Sequence, residues 1–337
     1  MFYKRFKPGH VLYVSRRTYL RKVAVPDFMG ITGEKTFVLE AINPDILLQE
    51  FLPFVLSAEV FHSYAIKNSR GSVNPYLNWG ELARYEFELP PLNEQRRIAE
   101  LLWATERHSV NLTESVAQIA AGKSLFFAEL MEYGTRERGW PSEPVTAVVT
   151  SGPTNGKSAT ANTEQLGVPT LSISAIRDGH VHGGESVKWI EVAPPAVAAF
   201  QLERNDFLIV RGNGNRTSTG RGGLVTDGLP EGCIYPDLLI RLKFDESRVM
   251  PAFASEQWNS ASVHTALLRK AKSTNGIWKI NGKDIKTHRL VIPPVSDQVA
   301  ILENLATFDA ALQSARMELA ALDALRARAL DEVSGVN

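Results

Sequence analysis

The sequence predicts an α+β fold in which two β-rich globular segments are each followed by one long helix. Three observations predict it: an internal repeat that spans most of the 337 residues, an apolar 4-3 phase that runs unbroken through two segments, and short apolar runs bounded by Gly, Pro and Asn between them.

The repeat is plainest at Leu89-Pro90-Pro91-Leu92-Asn93-Glu94-Gln95, which recurs as Ile292-Pro293-Pro294-Val295-Ser296-Asp297-Gln298, 203 residues on. At the same offset Leu77-Asn78-Trp79-Gly80-Glu81-Leu82 matches Ile280-Asn281-Gly282-Lys283-Asp284-Ile285. Phe6 to Leu12 resembles Leu202 to Leu208, 196 residues on. The first copy has no counterpart of residues 140–196. The expectation is a partial first domain whose N-terminal strands are missing, as a misassigned start codon, a split gene or a decayed gene would leave it.

Each Pro-Pro pair fixes an extended entry, Asn93 or Ser296 is placed to cap, and an acid and a glutamine fill the first turn. The stripe that follows contains Ile98, Leu102, Leu112, Val116, Ile119 and Phe126 in the first copy. In the second it contains Ile301, Leu305, Phe308, Leu312, Leu319 and Leu322. These are the expected helix-pairing residues, because a phase held over five heptads describes a helix–helix seam better than one core-facing helix. Lys123 and Arg326 occupy the same step of the two stripes. Val145–Val149, Thr170–Ile173, Phe207–Val210, Cys233–Leu242 and Arg289–Ile292 read as strands. Leu47–Tyr64 and Ala252–Leu268 read as helices.

Formal net charge is zero, but it is unevenly spread. Residues 140–292 carry 17 Lys/Arg against 14 Asp/Glu and residues 1–89 carry 11 against 9, whereas residues 296–337 carry 3 against 7. A basic partner surface belongs to the globular segments, not the last helix. The 207–226 stretch has no acid and holds Arg211, Asn213, Asn215, Arg216, Thr217 and Arg221 among glycines. Cations suit phosphates, and planar or amide side chains suit base edges. A second acid-free stretch, 257–283, holds Arg269, Lys270, Lys272, Asn275 and Lys279. In the first copy, acid-free residues 1–26 hold Arg16, Arg17 and Lys22, and Lys67 and Arg70 lie where the repeat puts 270–273. These are the candidate DNA-binding residues.

The Pro-Pro-Leu-x-Glu-Gln-Arg-x-Ile-Ala element at 90–99, recurring as Pro-Pro-Val-x-Asp-Gln-x-x-Ile at 293–301, resembles the specificity subunits of type I restriction-modification systems. So do Gly9-x-x-Leu12 with Arg16-Arg17 and Leu20-x-Lys22-Val23-Ala24, and Gly71-Ser72 ahead of Pro75-x-Leu77-Asn78-Trp79. The resemblance implies two target-recognition domains, the first one partial, separated by two long antiparallel coiled-coil helices, with the domains at opposite ends. The expected boundaries are a partial recognition domain at 1–92, a conserved-region helix at 93–134, a second recognition domain at 135–292 and a second helix at 293–337. It further implies a non-catalytic DNA-binding subunit, located in the cytoplasm, that reads a bipartite double-stranded site. Two adenine methyltransferase (modification) subunits would dock on it and carry S-adenosylmethionine, with a restriction/translocase subunit as a further partner. The alternative is an assembly scaffold that binds methyltransferase subunits or dimerises without reading DNA.

Other motifs carry less. Gly152-Pro153-Thr154-Asn155-Gly156-Lys157-Ser158 has three residues between its glycines where a phosphate-binding loop needs four, so it reads as a surface loop near DNA. Ala121-Gly122-Lys123-Ser124 sits inside the helical stripe. Asn74-Pro75-Tyr76 lacks the second proline of an adenine methyltransferase loop, and no Gly-rich cofactor loop follows a strand. His180 and His182 have no third ligand at helpful spacing and read as exposed loop histidines. Cys233 is the only cysteine, which excludes a disulfide framework and a Cys-rich metal site. No cofactor or metal is expected in this chain, and no apolar run approaches membrane-spanning length.

Overall fold

The computed structural model describes residues 4–333. By packing they form two units. One comprises the chain up to Gln118 together with the last helix from Leu312, and the other comprises Ile119–Ala311.

In the first unit, strands β1 (Lys4–Phe6), β2 (Val11–Val14), β3 (Val23–Ala24), β4 (Gly30–Thr32) and β5 (Thr36–Leu39) are followed by helices α1 (Leu52–Val55), α2 (Glu59–Lys67) and α3 (Trp79–Leu82). β2 lies between β3 and β5, antiparallel to both, and β1 pairs with β4. Val11 and Tyr13 alternate inward and are fully buried, with Phe61 edge-on to the Tyr13 ring. That period of two is what a half-buried strand requires. The expected helix over Leu47–Tyr64 is two helices instead. Ala58 is extended (ψ 145°) and turns the chain, so that Phe54 and Phe61 enter different clusters.

The long helix α4 (Leu92–Glu137) carries the chain into the second unit. There β6 (Ser142–Pro144), β7 (Val149–Asn155), β8 (Ala161–Asn162), β9 (Val168–Leu171), β10 (Ile176–Arg177), β11 (His180–Val181) and β12 (Val187–Ile190) precede β13 (Phe207–Val210), β14 (Gly212–Asn213), β15 (Gly222–Leu224) and β16 (Leu239–Phe244). Then come α5 (Pro251–Asn259), α6 (Ala261–Leu268), β17 (Lys272–Thr274), β18 (Ile277–Lys279), α7 (Gly282–Lys286), β19 (Arg289–Val291) and α8 (Val295–Val333). The main sheet runs β10-β11-β15-β13-β16-β7. All four residues of β13 are buried, and so are Leu239, Ile240 and Leu242 opposite them, as befits a strand covered on both faces.

Several expected elements differ. Val145–Val149 is a 3-10 turn, Val145–Ala147, before the strand begins; Val145 and Val148, both fully buried, are three apart, the period of that turn and not of a strand. Of Cys233–Leu242 only the part from Leu239 is strand, because Pro236 interrupts the ladder and its carbonyl accepts from Leu239 N in a turn. Of residues 152–158, the expected surface loop, 152–155 belong to β7 along β16. Gly152 is there because a Cβ would meet the Arg241 carbonyl at 2.4 Å. Ala252–Leu268 breaks at Ser260, whose ψ of 149° ends α5 and starts α6.

Within each unit the two long helices run antiparallel: partner numbers fall on α8 as they rise on α4. The first unit has Arg97–Glu332, Glu106–Arg326 and His108–Glu318. The second has Lys123–Asp309, the Phe126–Phe308 ring pair and, just past the end of α4, Arg138–Asp297. Of the stripe residues, Ile98, Leu102, Ile301, Leu305 and Leu312 are buried, and Leu112, Val116, Ile119, Phe126, Phe308, Leu319 and Leu322 are half-buried. Glu106–Arg326 and Asp309–Lys123 are one ion pair made twice, since each member stands 203 residues from its counterpart. Lys123 also reaches Glu256 at 3.1 Å; burial works against its charge, but these two carboxylates outweigh it and raise its pKa.

The Pro-Pro-x-x-acid-Gln element has a physical reason that spacing alone did not show. The helices start at Leu92 and Val295, and Asn93 and Ser296 make no cap bond among the described residues. The glutamines do the tying. Gln95, 1% exposed, accepts from Leu48 N at 2.9 Å and donates to the carbonyls of Ile46 and Pro90, both at 2.8 Å. Gln298, 0% exposed, accepts from Met250 N at 2.8 Å and donates to the carbonyls of Arg248 and Pro293, both at 2.8 Å. One amide thus fastens the helix start to the loop before the first short helix, identically in both units.

Candidate nucleic-acid interface

In the second unit the main sheet's central strand β13 continues past Val210 into β14, which joins β18 and β17 in a three-stranded sheet. Gly212 faces Lys279, and Lys279 faces Lys272. The two acid-free stretches, some sixty residues apart in sequence, therefore meet side by side. A two-residue turn, Asn275-Gly276, joins β17 to β18, with φ of 50° and 76°. Both central residues in the left-handed region is the hairpin turn that suits twisted strands, and Asn-Gly is its commonest sequence. Asn275 is therefore placed by turn geometry. The Asn-Gly pair is a hairpin signal lying inside the acid-free stretch 257–283.

The side chains divide by what they touch. Arg216 is exposed and its guanidinium stands 4.7 Å from the centre of the Trp278 ring. Arg269, Lys272 and Lys279 are exposed and make no ion pair among the described residues. Lys272 and Lys279 are directly opposite in register, an arrangement that repels unless an anion lies between or beside them. Asn213 Oδ1 accepts from Asn215 N, and Asn215 Oδ1 accepts from Thr217 N and its hydroxyl. These oxygens shape the loop, and neither amide NH2 donates a hydrogen bond among the described residues. Arg221 turns inward to the Asn259 carbonyl at 2.8 Å, and its burial lowers its pKa. Lys270 donates to Asp284 O and Thr287 Oγ1. Arg211 is half-buried and reaches Asp237 O at 3.4 Å.

The first unit repeats the scheme. After β2, Ser15 O accepts from Leu77 N at 2.9 Å, as Arg211 O accepts from Ile280 N at 3.0 Å. Arg16 bridges Tyr76, and Tyr76 bridges Arg70, where the second unit has Gly212, Lys279 and Lys272. Arg17, with φ 56°, donates from its amide to Pro75 O at 2.6 Å and from Nε to Asn74 Oδ1 at 2.7 Å. Arg16, Lys22 and Lys67 are exposed without an ion pair among the described residues, whereas Arg70 shares Glu81 with Arg84. Lys35 and Tyr76, missed in the sequence, stack with Nζ 4.3 Å from the ring centre. Trp278 was missed as well. No spacing rule connects Lys35 with Tyr76 or Arg216 with Trp278.

The remaining motifs take ordinary places. His180 belongs to β11, not a loop, and it and His182 are exposed with ring centres 6.5 Å apart. Among the described residues no group of three or more His, Cys, Asp or Glu is placed to hold a metal. Cys233 is buried, which pushes its thiol up to about 12. Gly156 sits where a Cβ would meet Tyr235 O at 2.1 Å, so close backbone packing accounts for it. No described helix is long and apolar enough to cross a membrane.

The chain thus uses one sheet twice, its central strand leading in each unit to an exposed cationic edge, and ties each unit to a paired long helix. Residues 4–120 match the family of the type I restriction modification DNA specificity domain. Over 151 residues the chain is 31% identical to the type I restriction enzyme EcoKI specificity subunit of Escherichia coli (strain K12), covering 45% of this chain and about a third (32%) of that protein's length. A chain solved in a study of complex assembly and conformational transition of the type I R-M system aligns over 98% of this chain and 82% of its own. Its TM-score is 0.62 at 19% identity. The type I restriction-modification S subunit from M. genitalium aligns over 97% and 83%, with a TM-score of 0.60 at 14% identity. The two structures share the fold. The family match covers residues 4–120, and beyond it the chain is similar in sequence to part of one type I specificity subunit and in fold to the two solved structures.

Proposed function

We propose that the chain reads a bipartite double-stranded DNA site, with one half read by each unit. Residues 1–92 and 135–292 would be the recognition domains, and 93–134 and 293–337 the conserved-region helices. One observation carries this reading: the same sheet in each unit hands its central strand to a cation-bearing hairpin edge. Arg216, held over Trp278, would face a guanine edge, and Lys272 and Lys279 would lie along phosphates. Arg16, Arg17, Lys22, Lys67 and Arg70 would serve the first unit. The chain would carry no catalytic group of its own. Two methyltransferase subunits with S-adenosylmethionine, and a restriction/translocase subunit, would do the chemistry.

The test is DNA binding by the full chain across a range of salt. Replacing Lys272 and Lys279 together by Gln should flatten the slope of log K against log salt by about 2, roughly 0.9 per phosphate contact. Arg216→Ala should cost about 1–3 kcal/mol and relax base choice at one position. If both variants bind as the wild type does, the DNA face lies elsewhere. A second reading, a scaffold that holds methyltransferase subunits without reading DNA through its first unit, draws on one contrast. Ile31 is 61% exposed, whereas Ile234, 203 residues on, is 0% exposed beneath Val168 and Ile190. Sequence preference confined to one half-site would favour it.

A further inference from the structure

The two hairpin edges differ in one respect that the repeat does not predict. In the second unit the loop after β14 makes a 3-10 turn of polar residues, Arg216–Ser218. In the first unit the loop after β2 makes a 3-10 turn of Thr18–Leu20, and its tip is apolar: Tyr19 is 50% and Leu20 43% exposed. The turn is fixed from below and at both ends. Thr18 is buried, and Arg17 and Arg21 on either side hold left-handed backbone, φ 56° and 51°. Leu20 N and Arg21 N close the turn on the carbonyls of Arg17 and Thr18, and Arg21 is clamped to Glu59 by two bonds of 2.5 and 2.8 Å. Two side chains that gain by leaving water are thus held outward on a rigid base.

Their surroundings say what would cover them. Arg16, Arg17 and Lys22 flank the tip, and no acid occurs in residues 1–26. Arg17 also holds Asn74, next to Val73, which is 83% exposed. An apolar point in a cationic field suits a polyanion with a stacked apolar interior and does not suit an apolar protein face. Proteins that push apolar side chains between base steps kink the duplex by about 20–90°, and the bent duplex then contacts more protein surface, which offsets the cost of unstacking.

We infer that Tyr19 and Leu20 form a wedge that enters a base step of the duplex, so that the first unit recognises DNA by its deformability, while the second recognises it by polar contact from Arg216. This rests on the DNA-reading function proposed above. The reading predicts a kink on the first unit's half of the site and preference there for an easily unstacked pyrimidine–purine step.

The experiment uses the full chain and duplexes enriched by it from a random-sequence pool, with donor and acceptor dyes at the duplex ends and 2-aminopurine placed along the site. Wild-type protein should shorten the end-to-end distance and raise 2-aminopurine emission at one step. The double variant Tyr19→Ala, Leu20→Ala should lose at least half of the bend and the emission rise, with the salt slope unchanged because no cation is removed. Tyr19→Phe, which keeps the ring, should retain both. A duplex that the wild type binds and leaves straight, or one that the double variant bends as fully, overturns the wedge and leaves the DNA-reading function standing. Failure of any duplex to be enriched overturns both.

Discussion

Gln298→Met keeps the length and nearly the volume of the side chain but removes its amide. Three backbone groups then lose their partner: Met250 N–H and the carbonyls of Arg248 and Pro293. A buried group left without a partner costs about 1–3 kcal/mol. The bond to Pro293 is fully buried, and those to Met250 and Arg248 are part-buried, where water can reach. The sum therefore falls near the low end, about 3–4 kcal/mol, a large share of the ~5–15 kcal/mol that holds a domain folded. Urea unfolding of the full chain, with the Met250 amide followed by native-state hydrogen exchange, reads both the global loss and its origin. The second unit's transition should shift by that amount, and Met250 should lose protection ahead of the β13 amides. Gln95→Met should do the same to the first unit through Leu48, independently, since the two glutamines share no partner. A shift within about 0.5 kcal/mol of wild type, with Met250 still protected, would refute the claim that these amides fasten the helices to their units.

His288 is buried against the Trp258 ring, and burial, aided by nearby Lys270, lowers its pKa to about 4. The unfolded chain takes up this proton near pH 6.5, so the stabilisation is whole above that pH. It drains away as the pH falls towards 4, by about 3 kcal/mol in all. His288→Leu should flatten that part of the acid stability curve; an unchanged curve would mean that the ring is not held neutral. Leu305, 1% exposed in the second unit's core, should not tolerate Asp, because an unpaired buried carboxylate costs several kcal/mol. A melting temperature of Leu305→Asp within a few degrees of wild type would show that the α8 stripe is not core there.

What the sequence disclosed follows from range. The 4-3 stripe shows in one stretch of chain, so both long helices could be read, and the sign of each step prepared Lys123 and Arg326. The repeat gave β13 and its counterpart β2, since apolar runs such as Phe207–Val210 need no partner to be recognised. Through-space facts stayed hidden. Nothing near Gln298 names Arg248 or Met250, nothing beside Arg216 announces Trp278, and the breaks at Ala58 and Ser260 depend on which cluster each half-helix must reach. Arg221 and Lys270 looked as available as Lys272 until folding gave them carbonyl partners.

The hairpin edge of the second unit carries its cations on a sheet of two- and three-residue strands that stands outside the core. Lys272, Lys279 and Arg216 are exposed, and exchanging such surface residues usually alters folding free energy by no more than about 0.5 kcal/mol. The buried residues of β13 and β16 have no such latitude. Selection can therefore rewrite this cationic edge one residue at a time without passing through an unfoldable intermediate, on a platform that stays the same.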